Sequence, residues 1–292
     1  MNGTPHIMKA FFFITLQYLL PQHALSRIAG WIAETEATWF KRPLINWFIQ
    51  RYNVDMSIAA NPDPDSYKHF NDFFTRALAD GHRPISEDQQ TIACPADGCI
   101  SQLGAIKNGH IFQAKGHEYS LLELVGGNDD IAKQFIDGSF ATVYLSPKDY
   151  HRVHMPLAGT LRTMIHVPGD LFSVNDTTAE NVPRLFARNE RVVAVFDTDA
   201  GPMVVVLVGA MIVASIETVW AGLVTPIKKQ VHTTHYTQSS TIALDKGEEM
   251  GRFKLGSTAI VLFGKGVATW AEDLEAGSTV LMGENMGDLK PA

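Results

Sequence analysis

The sequence is poor in several features that would assign it at once to a class of protein. Its two cysteines, Cys94 and Cys99, are too few for a disulfide framework and lack the paired spacing of a zinc site. We expect both to be reduced thiols in a cytoplasmic setting. The net charge is −7 and no long basic block is present. This argues against nucleic acid as the main partner, because phosphate binding depends on clustered Lys and Arg.

Two common catalytic motifs are also absent. No H-E-x-x-H segment supplies a pair of zinc ligands, so no metal site is expected. No G-x-S-x-G segment is present either, so the strand-to-helix turn that carries the nucleophile of α/β-hydrolases is not predicted. Apolar residues make up 46% of the chain and charged residues 19%, which is typical of a folded globular protein.

The N-terminal apolar run is too short for a membrane-spanning helix. Residues Ala10–Leu20 read AFFFITLQYLL and end at Pro21, about half of the roughly 20 residues that a bilayer requires. A secretory signal is disfavoured because a single lysine, Lys9, precedes the run and no clear cleavage site follows. Helical patterning continues to Tyr52, with aromatic and basic residues interspersed. Such a segment either packs on the protein's own core or lies in a membrane interface, and the residues alone leave both open.

Beyond the turn-rich residues 61–65 the pattern changes from helical to strand-like. Helical spacing predicts one short helix between Tyr67 and Leu78 and two more at Tyr119–Val125 and Asp129–Ile136. Short β-branched and aromatic runs predict strands at Ile100–Leu103, His110–Gln113, Phe140–Leu145, Thr160–Val167, Arg191–Phe196, Met203–Val208, Ile212–Ile216 and Ala259–Phe263. The fold class is therefore α+β. An amphipathic helical segment over residues 1–80 is followed by a β-rich domain of antiparallel or mixed sheet over residues 81–292.

Three polar clusters lie where strands are expected to meet loops. Asp97 stands in the turn CPADG, His151 and His154 in PKDYHRVHMP, and Ser257 in KLGST. An Asp-Gly turn that caps its own backbone would explain the first cluster without any chemistry, and two histidines are too few ligands for a zinc site. Taken together, Asp, His and Ser suggest a nucleophilic arrangement in which the imidazole takes the hydroxyl proton. A serine hydrolase is the first hypothesis, although the missing G-x-S-x-G segment weighs against it.

Six ordered motifs resemble the phosphatidylserine decarboxylase family of the bacterial proenzyme type. They are ACPADGCISQLG (93–104), YLSPKDYHRVHMP (144–156), PGDLFSVN (168–175), LFARNERV (185–192), IETVWAG (216–222) and MGRFKLGST (250–258). The similarity extends to FNDFFTR (70–76) and to the aromatic N-terminus. It therefore covers nearly the whole chain.

The resemblance implies that the chain cuts itself between Gly256 and Ser257. The serine would attack the preceding carbonyl and β-elimination would break the chain into a β chain of residues 1–256 and an α chain of residues 257–292. The former Ser257 would become a covalent pyruvoyl cofactor. A glycine before the serine suits this step, because it has no Cβ to obstruct the attack and tolerates a strained turn.

The resemblance also assigns roles to the other polar residues. His154 would be the base for self-cleavage, oriented by Asp97, and His151 would donate a proton during decarboxylation. The amine of phosphatidylserine would form a Schiff base with the pyruvoyl group, an electron sink of the kind pyridoxal phosphate supplies elsewhere, and phosphatidylethanolamine would be released. A Ser-His-Asp lipid hydrolase without self-cleavage is the alternative.

A lipid substrate changes the expectation for the N-terminus. The active site must reach a bilayer surface, so the membrane interface becomes the favoured environment for residues 8–53. The implied partners are phosphatidylserine in the membrane and the chain's own α and β fragments as a heterodimer, with a dimer of such heterodimers as a further expectation. The implied location is the cytoplasmic side of the cell membrane, as a peripheral protein.

Overall fold

A computed structural model describes residues 4–211, 215–226, 229–254 and 257–290. Its helices are α1 Thr4–Leu19, α2 Gln22–Ala33, α3 Thr38–Tyr52, α4 Phe70–Phe74, α5 Leu121–Leu124, α6 Asp129–Phe135, α7 Asp176–Asn181 and α8 Leu185–Arg188. Its strands β1 to β9 are Thr91–Ala93, Gly98–Ala105, His110–Ala114, His117–Ser120, Ser139–Leu145, Arg152–His154, Gly159–Val167, Arg191–Thr198 and Gly201–Val208. Strands β10 to β18 are Ser215–Thr218, Gly222–Leu223, His232–His235, Ala243–Leu244, Glu249–Lys254, Ser257–Phe263, Ala268–Trp270, Thr279–Val280 and Asn285–Leu289.

A nine-stranded antiparallel sheet forms the centre of the molecule. Its strand order is β12-β7-β8-β9-β15-β5-β2-β17, with β13 also paired to β7. Along β15, Ala259, Val261 and Phe263 belong to one hydrophobic core, whereas Ile260 and Leu262 belong to another. Because side chains alternate across a strand, both faces of this sheet are buried. This explains why its strands read as continuous apolar runs rather than as an alternating pattern.

Two smaller sheets cover one face of the large sheet. One has the strand order β11-β10-β14-β6 and the other β1-β18-β16. Their side chains Ile216, Phe253 and Met286 share the core of Ala259 and Val261. The short helices α5 to α8 contribute to the core on the opposite face. The strand β14 of a covering sheet therefore leads directly into β15 at the centre of the large sheet.

The three N-terminal helices dock on this body through both polar and apolar contacts. Gln17 accepts a hydrogen bond from the backbone N–H of Ser173 at 2.8 Å, and Gln22 accepts one from that of Leu171 at 2.6 Å. Further along, Phe48 of α3 packs edge-on against Phe70 and Phe73 in a separate aromatic cluster. None of the helices in the described residues is long and apolar enough to cross a membrane.

The α+β class and the N-terminal helices are confirmed, with differences in detail. All eight expected strands are found, although residues 212–214 of the run Ile212–Ile216 lie outside the described residues. The helix expected between Tyr67 and Leu78 covers Phe70–Phe74 alone, because Leu78 leaves it to form an isolated β-bridge with Ala59. Similarly, the first part of Tyr119–Val125 belongs to β4, since Ser120 caps the helix that follows.

Candidate active site

Ser257 begins the central strand β15. Its backbone lies opposite Leu145 of β5, and the next residue, Thr258, lies opposite Val208 of β9. The preceding strand, β14, ends at Lys254. Leu255, Gly256 and the side chain of Ser257 lie outside the described residues. The expected cleavage site therefore falls at the passage from a covering sheet to the large sheet.

The segment that follows β5 holds the chain on both sides of this passage. It starts at Leu145, opposite Ser257, and returns to His151, whose carbonyl accepts a hydrogen bond from Phe253 N at 3.0 Å. It then continues as β6, where His154 lies opposite Glu249 of β14. Both expected histidines thus belong to the segment that contacts the described chain before and after residues 255–256.

His151 is fully buried with an unsatisfied ring. Its exposed fraction is 0%, and its imidazole stacks on Phe74 with ring centroids 4.0 Å apart. Neither ring nitrogen has a hydrogen-bond partner among the described residues. Burial, helped by the positive charge of Arg76, lowers the pKa of His151 to about 3. The nearby carbonyls of Pro147 and Ser146 oppose that shift without forming well-aligned hydrogen bonds. The ring is therefore neutral at physiological pH.

His154 is buried as well, but both of its ring nitrogens are engaged. Nδ1 lies 2.7 Å from Gly247 O, and Nε2 lies 2.9 Å from the hydroxyl of Tyr150. Because a carbonyl only accepts, Nδ1 must carry the proton, and in the neutral ring Nε2 accepts from Tyr150. Burial lowers the pKa of His154, and the Gly247 carbonyl partly opposes this. The result is a neutral imidazole with a fixed tautomer.

Asp97 is paired with Arg83 instead of His154. The arginine donates to both carboxylate oxygens, Nε to Oδ1 at 2.8 Å and Nη2 to Oδ2, and Met282 N donates to Oδ1 at 2.8 Å. Among the described residues Asp97 makes no direct hydrogen bond to His154. The two residues are still neighbours, because His154 N donates to Pro95 O at 2.8 Å. The charge of Asp97 acts on His154 through space, where it raises the pKa slightly.

Two contributors escaped sequence reasoning. Tyr150 occupies the acceptor nitrogen of His154, and Arg83 neutralises Asp97. The position of Tyr150, four residues before His154 in an irregular segment, gave no reason to assign contact. Arg83 is 14 residues from Asp97 in the chain, a separation from which no sequence pattern predicts a contact. Within the described part of the chain, no three His, Cys, Asp or Glu side chains are grouped as metal ligands would be.

Comparison with known proteins identifies the family of the chain. A family model described as phosphatidylserine decarboxylase matches residues 70–288, and a second, described as PSD, matches residues 12–53. A protein of Pseudomonas entomophila named phosphatidylserine decarboxylase proenzyme is 65% identical over 279 residues, which cover 95% of this chain and 97% of that protein. One of the same name from Pseudomonas fluorescens Pf-5 is 62% identical over 96% of this chain and 98% of its own length.

These matches place the chain first in a class and then in a family. The class is that of decarboxylases made as proenzymes, as the names of both relatives state. The chain belongs to the phosphatidylserine decarboxylase family, and the resemblance carried by its sequence motifs is confirmed.

Proposed function

We propose that the chain is a proenzyme that cuts itself between Gly256 and Ser257 and then converts phosphatidylserine to phosphatidylethanolamine and carbon dioxide. The observation that carries the proposal is that one segment contacts the described chain on both sides of residues 255–256, through the pairing of Ser257 with Leu145 and the hydrogen bond between Phe253 and His151. Family membership supports the same reaction. These contacts would place the scissile bond next to the segment that carries His151, whereas His154 lies further along that segment, opposite Glu249.

Self-cleavage uses groups of the chain itself. The Ser257 hydroxyl would attack the Gly256 carbonyl, so that the amide becomes an ester and the nitrogen of residue 257 becomes an amine. Loss of the α-proton of residue 257 would then expel Gly256 as a carboxylate. The dehydroalanine left behind would hydrolyse to a pyruvoyl group and ammonia. Each bond that breaks is matched by a bond or a lone pair formed, and no external oxidant or reductant is required.

We assign His154 as the base in this sequence. Its Nδ1 proton is held by Gly247, which leaves Nε2 as the basic atom. Tyr150 occupies that atom in this structure, so the base role requires the tyrosine hydroxyl to move aside or to relay the proton. Asp97 would support the positive charge that develops on His154 from a distance, since its own oxygens are held by Arg83.

After cleavage the two fragments would remain together. Strand β15, the first part of the α chain, pairs along its length with β5 on one side and with β9 on the other. Described residues of β15 from Thr258 to Leu262 are fully buried. Separating the fragments would expose this apolar strand and break both ladders. We therefore expect a stable α–β heterodimer with its new N-terminus fixed between β5 and β9.

Residue 257 would carry the pyruvoyl group, next to the segment that contains His151. When present, the group would take up the amine of the substrate and accept the electron pair released as carbon dioxide departs. His151 would deliver a proton to the substrate carbon that loses the carboxylate. Its buried neutral ring carries one N–H that no described residue accepts. That proton is thus free for a substrate, and the enclosing core keeps water away.

The N-terminal helices would bring this site to the bilayer. Among the described residues, 12 of the 19 exposed large apolar side chains lie before residue 50. They are Met8, Phe11, Phe12, Phe13, Leu16, Tyr18, Leu19, Ile28, Trp31, Ile32, Trp39 and Trp47. An apolar surface of this size usually marks a partner or a membrane. With a phospholipid substrate, we assign residues 8–53 to peripheral attachment at the membrane interface.

The test is the intact mass of the purified chain. We expect two fragments, residues 1–256 and 257–292, and a Ser257→Ala variant that stays whole. The matched control is Thr258→Val, which removes the neighbouring hydroxyl and should still be cut. A Ser257→Ala variant that splits would refute the proposal. A lipid hydrolase, by contrast, would remain one chain and would label with a fluorophosphonate at Ser257.

A further inference from the structure

Arg76 is a buried arginine whose charge lacks a close counter-ion in the described structure. Its exposed fraction is 3%, and its guanidinium donates one hydrogen bond, from Nη2 to Lys148 O at 3.3 Å. Nε and Nη1 have no hydrogen-bond partner among the described residues. The guanidinium otherwise lies over the ring of Phe73, 5.5 Å from its centroid. A buried charge is costly unless it is paired, so these two nitrogens indicate a place for an anion.

Two of the neighbouring carboxylates, Asp97 and Asp149, accept hydrogen bonds from other groups. Both oxygens of Asp97 are held by Arg83. Asp149 accepts two hydrogen bonds at Oδ2, from the backbone N–H and the hydroxyl of Ser146, each at 2.7 Å. Their charges raise the pKa of Arg76, yet burial lowers it by more. The residual positive charge therefore remains available to a ligand.

This charge lies beside the reacting residues. Lys148, which accepts its hydrogen bond, belongs to the segment that carries His151. Phe74, two residues before Arg76, stacks on the His151 ring. The backbone is fixed there, because Arg152 donates from Nε to Thr75 O at 2.9 Å. The positive charge of Arg76 is also felt by His151, whose pKa it lowers. A ligand on Arg76 would thus sit next to the imidazole assigned to proton delivery.

We propose that Arg76 binds the phosphodiester of the phospholipid headgroup and so anchors the substrate beside His151. The inference rests on the proposed function, which supplies a substrate with two anionic groups. The carboxylate is the poorer ligand, because it loses its charge as carbon dioxide leaves and an arginine paired with it would stabilise the ground state more than the transition state. The phosphate keeps its charge throughout the reaction. Charge-assisted hydrogen bonds from Nε and Nη1 to phosphate oxygens satisfy the arginine fully.

The experiment measures amine binding by the cleaved enzyme without relying on turnover. Cyanoborohydride traps an amine on the pyruvoyl group, and the mass of the α chain reports the adduct. Three soluble amines are compared: glycerophosphoethanolamine, which has a phosphodiester; ethanolamine, which has neither anion; and L-serine, which has only the carboxylate. The variants are Arg76→Gln, Arg76→Lys, and as a matched control Arg162→Gln, which removes an arginine paired with Asp197 away from the site.

In Arg76→Gln we expect the half-saturating concentration of glycerophosphoethanolamine to rise about 10- to 100-fold, the usual effect of losing hydrogen bonds to a charged group. Ethanolamine and L-serine should change by less than about twofold. The half-saturating concentration of Arg76→Lys should lie between those of the wild type and Arg76→Gln, because lysine keeps the charge without the paired donors. Arg162→Gln should match the wild type with all three amines.

Three outcomes would overturn the assignment. Equal weakening of all three amines would make Arg76 a structural residue. Weakening confined to L-serine would make it a carboxylate ligand. Folded Arg76 variants that remain uncut would place the arginine in self-cleavage. If Arg76→Gln does not fold, the same ratio of amines measured on Arg76→Lys decides. A wild-type chain that forms no adduct with any amine would instead refute the proposed function, and the inference with it.

Discussion

Large apolar side chains have opposite environments in the N-terminal helices and in the sheet. Trp31 and Trp39 are 77% and 81% exposed, whereas Phe196 and Phe263 of the sheet are at most 1% exposed. The sheet residues contribute to stability through burial, at roughly 25 cal/mol for each Å² removed from water. The exposed tryptophans gain nothing of this kind in the isolated protein. The two regions therefore differ in where their large apolar side chains lie: inside the core in the sheet, and at the surface in the helices.

The boundary between the two regions contains several polar contacts. Gln17 and Gln22 bind the backbone of residues 171–173, and Lys254 lies 3.3 Å from Glu34 at the end of α2. These contacts, together with a few apolar ones such as Tyr18 on Phe172 with ring centroids 4.8 Å apart, dock the helices while many of their large apolar side chains stay exposed. Substitutions in one region should consequently leave the other nearly unchanged.

The largest effect on activity is expected from substituting the two histidines of the β-rich body, His151 and His154. His154→Ala should leave the chain whole, because self-cleavage loses its base. His151→Ala should still cut but should decarboxylate about 10²- to 10⁴-fold more slowly, the usual loss for a missing proton donor. Fragment masses and ethanolamine lipid production measure the two steps. His23→Ala is the control from the helices, where the ring contacts Gly169 O at 2.9 Å, and should affect neither step. Identical behaviour of the His151 and His154 variants would contradict the assignment.

A pair of aromatic substitutions tests the comparison directly. Phe196→Ala should lower the free energy of unfolding by about 3–5 kcal/mol, since it leaves a cavity in a closed core. Trp39→Ala should change it by less than about 0.5 kcal/mol. Urea unfolding in the uncut Ser257→Ala background measures both as a single chain.

Vesicle binding should rank the same two variants in reverse. Trp39→Ala should weaken sedimentation with anionic vesicles about tenfold or more, because an indole of 150–250 Å² no longer enters the interface. Phe196→Ala should bind as the parent does wherever it is folded. Undiminished binding by Trp39→Ala would show that this tryptophan does not contribute to vesicle binding.

The pH dependence of stability should depend on the buried imidazole. The pKa of His151 falls from an ordinary 6.5 to about 3 in the folded state, so below pH 6.5 the unfolded chain binds the additional proton. Stability is therefore lost as pH falls, by about 1.4 kcal/mol per pH unit, or about 2 kcal/mol by pH 5. Between pH 7 and pH 5 the free energy of unfolding of His151→Gln should therefore fall by about 2 kcal/mol less than that of the parent. An unchanged acid sensitivity would show that the ring is solvated in solution.

The sequence was sufficient to name the candidate site residues, but not to predict their contacts with residues distant in the chain. Continuous apolar runs such as Met203–Val208 predicted strands correctly, because a strand buried on both faces needs nothing else. The positions of His151 and Ser257 followed from motifs. The pairing of Asp97 with Arg83, and the buried charge of Arg76, depend on how distant segments fold together. Periodicity reports only which residues share an element.

The smallest effect is expected where the two regions meet. Glu34→Gln removes a partner of Lys254 that is 52% exposed, whereas Glu217, 26% exposed, stays at 2.6 Å. An exposed ion pair contributes at most about 1 kcal/mol and is screened by salt. The free energy of unfolding of Glu34→Gln should therefore fall by less than about 1 kcal/mol. At 1 M salt the variant and the parent should be equally stable. Glu217→Gln should cost more, because its pair is closer and less exposed. If Glu34→Gln instead slowed self-cleavage, the helices would be positioning the strand that enters the cut site, and the separation of the two regions would no longer hold.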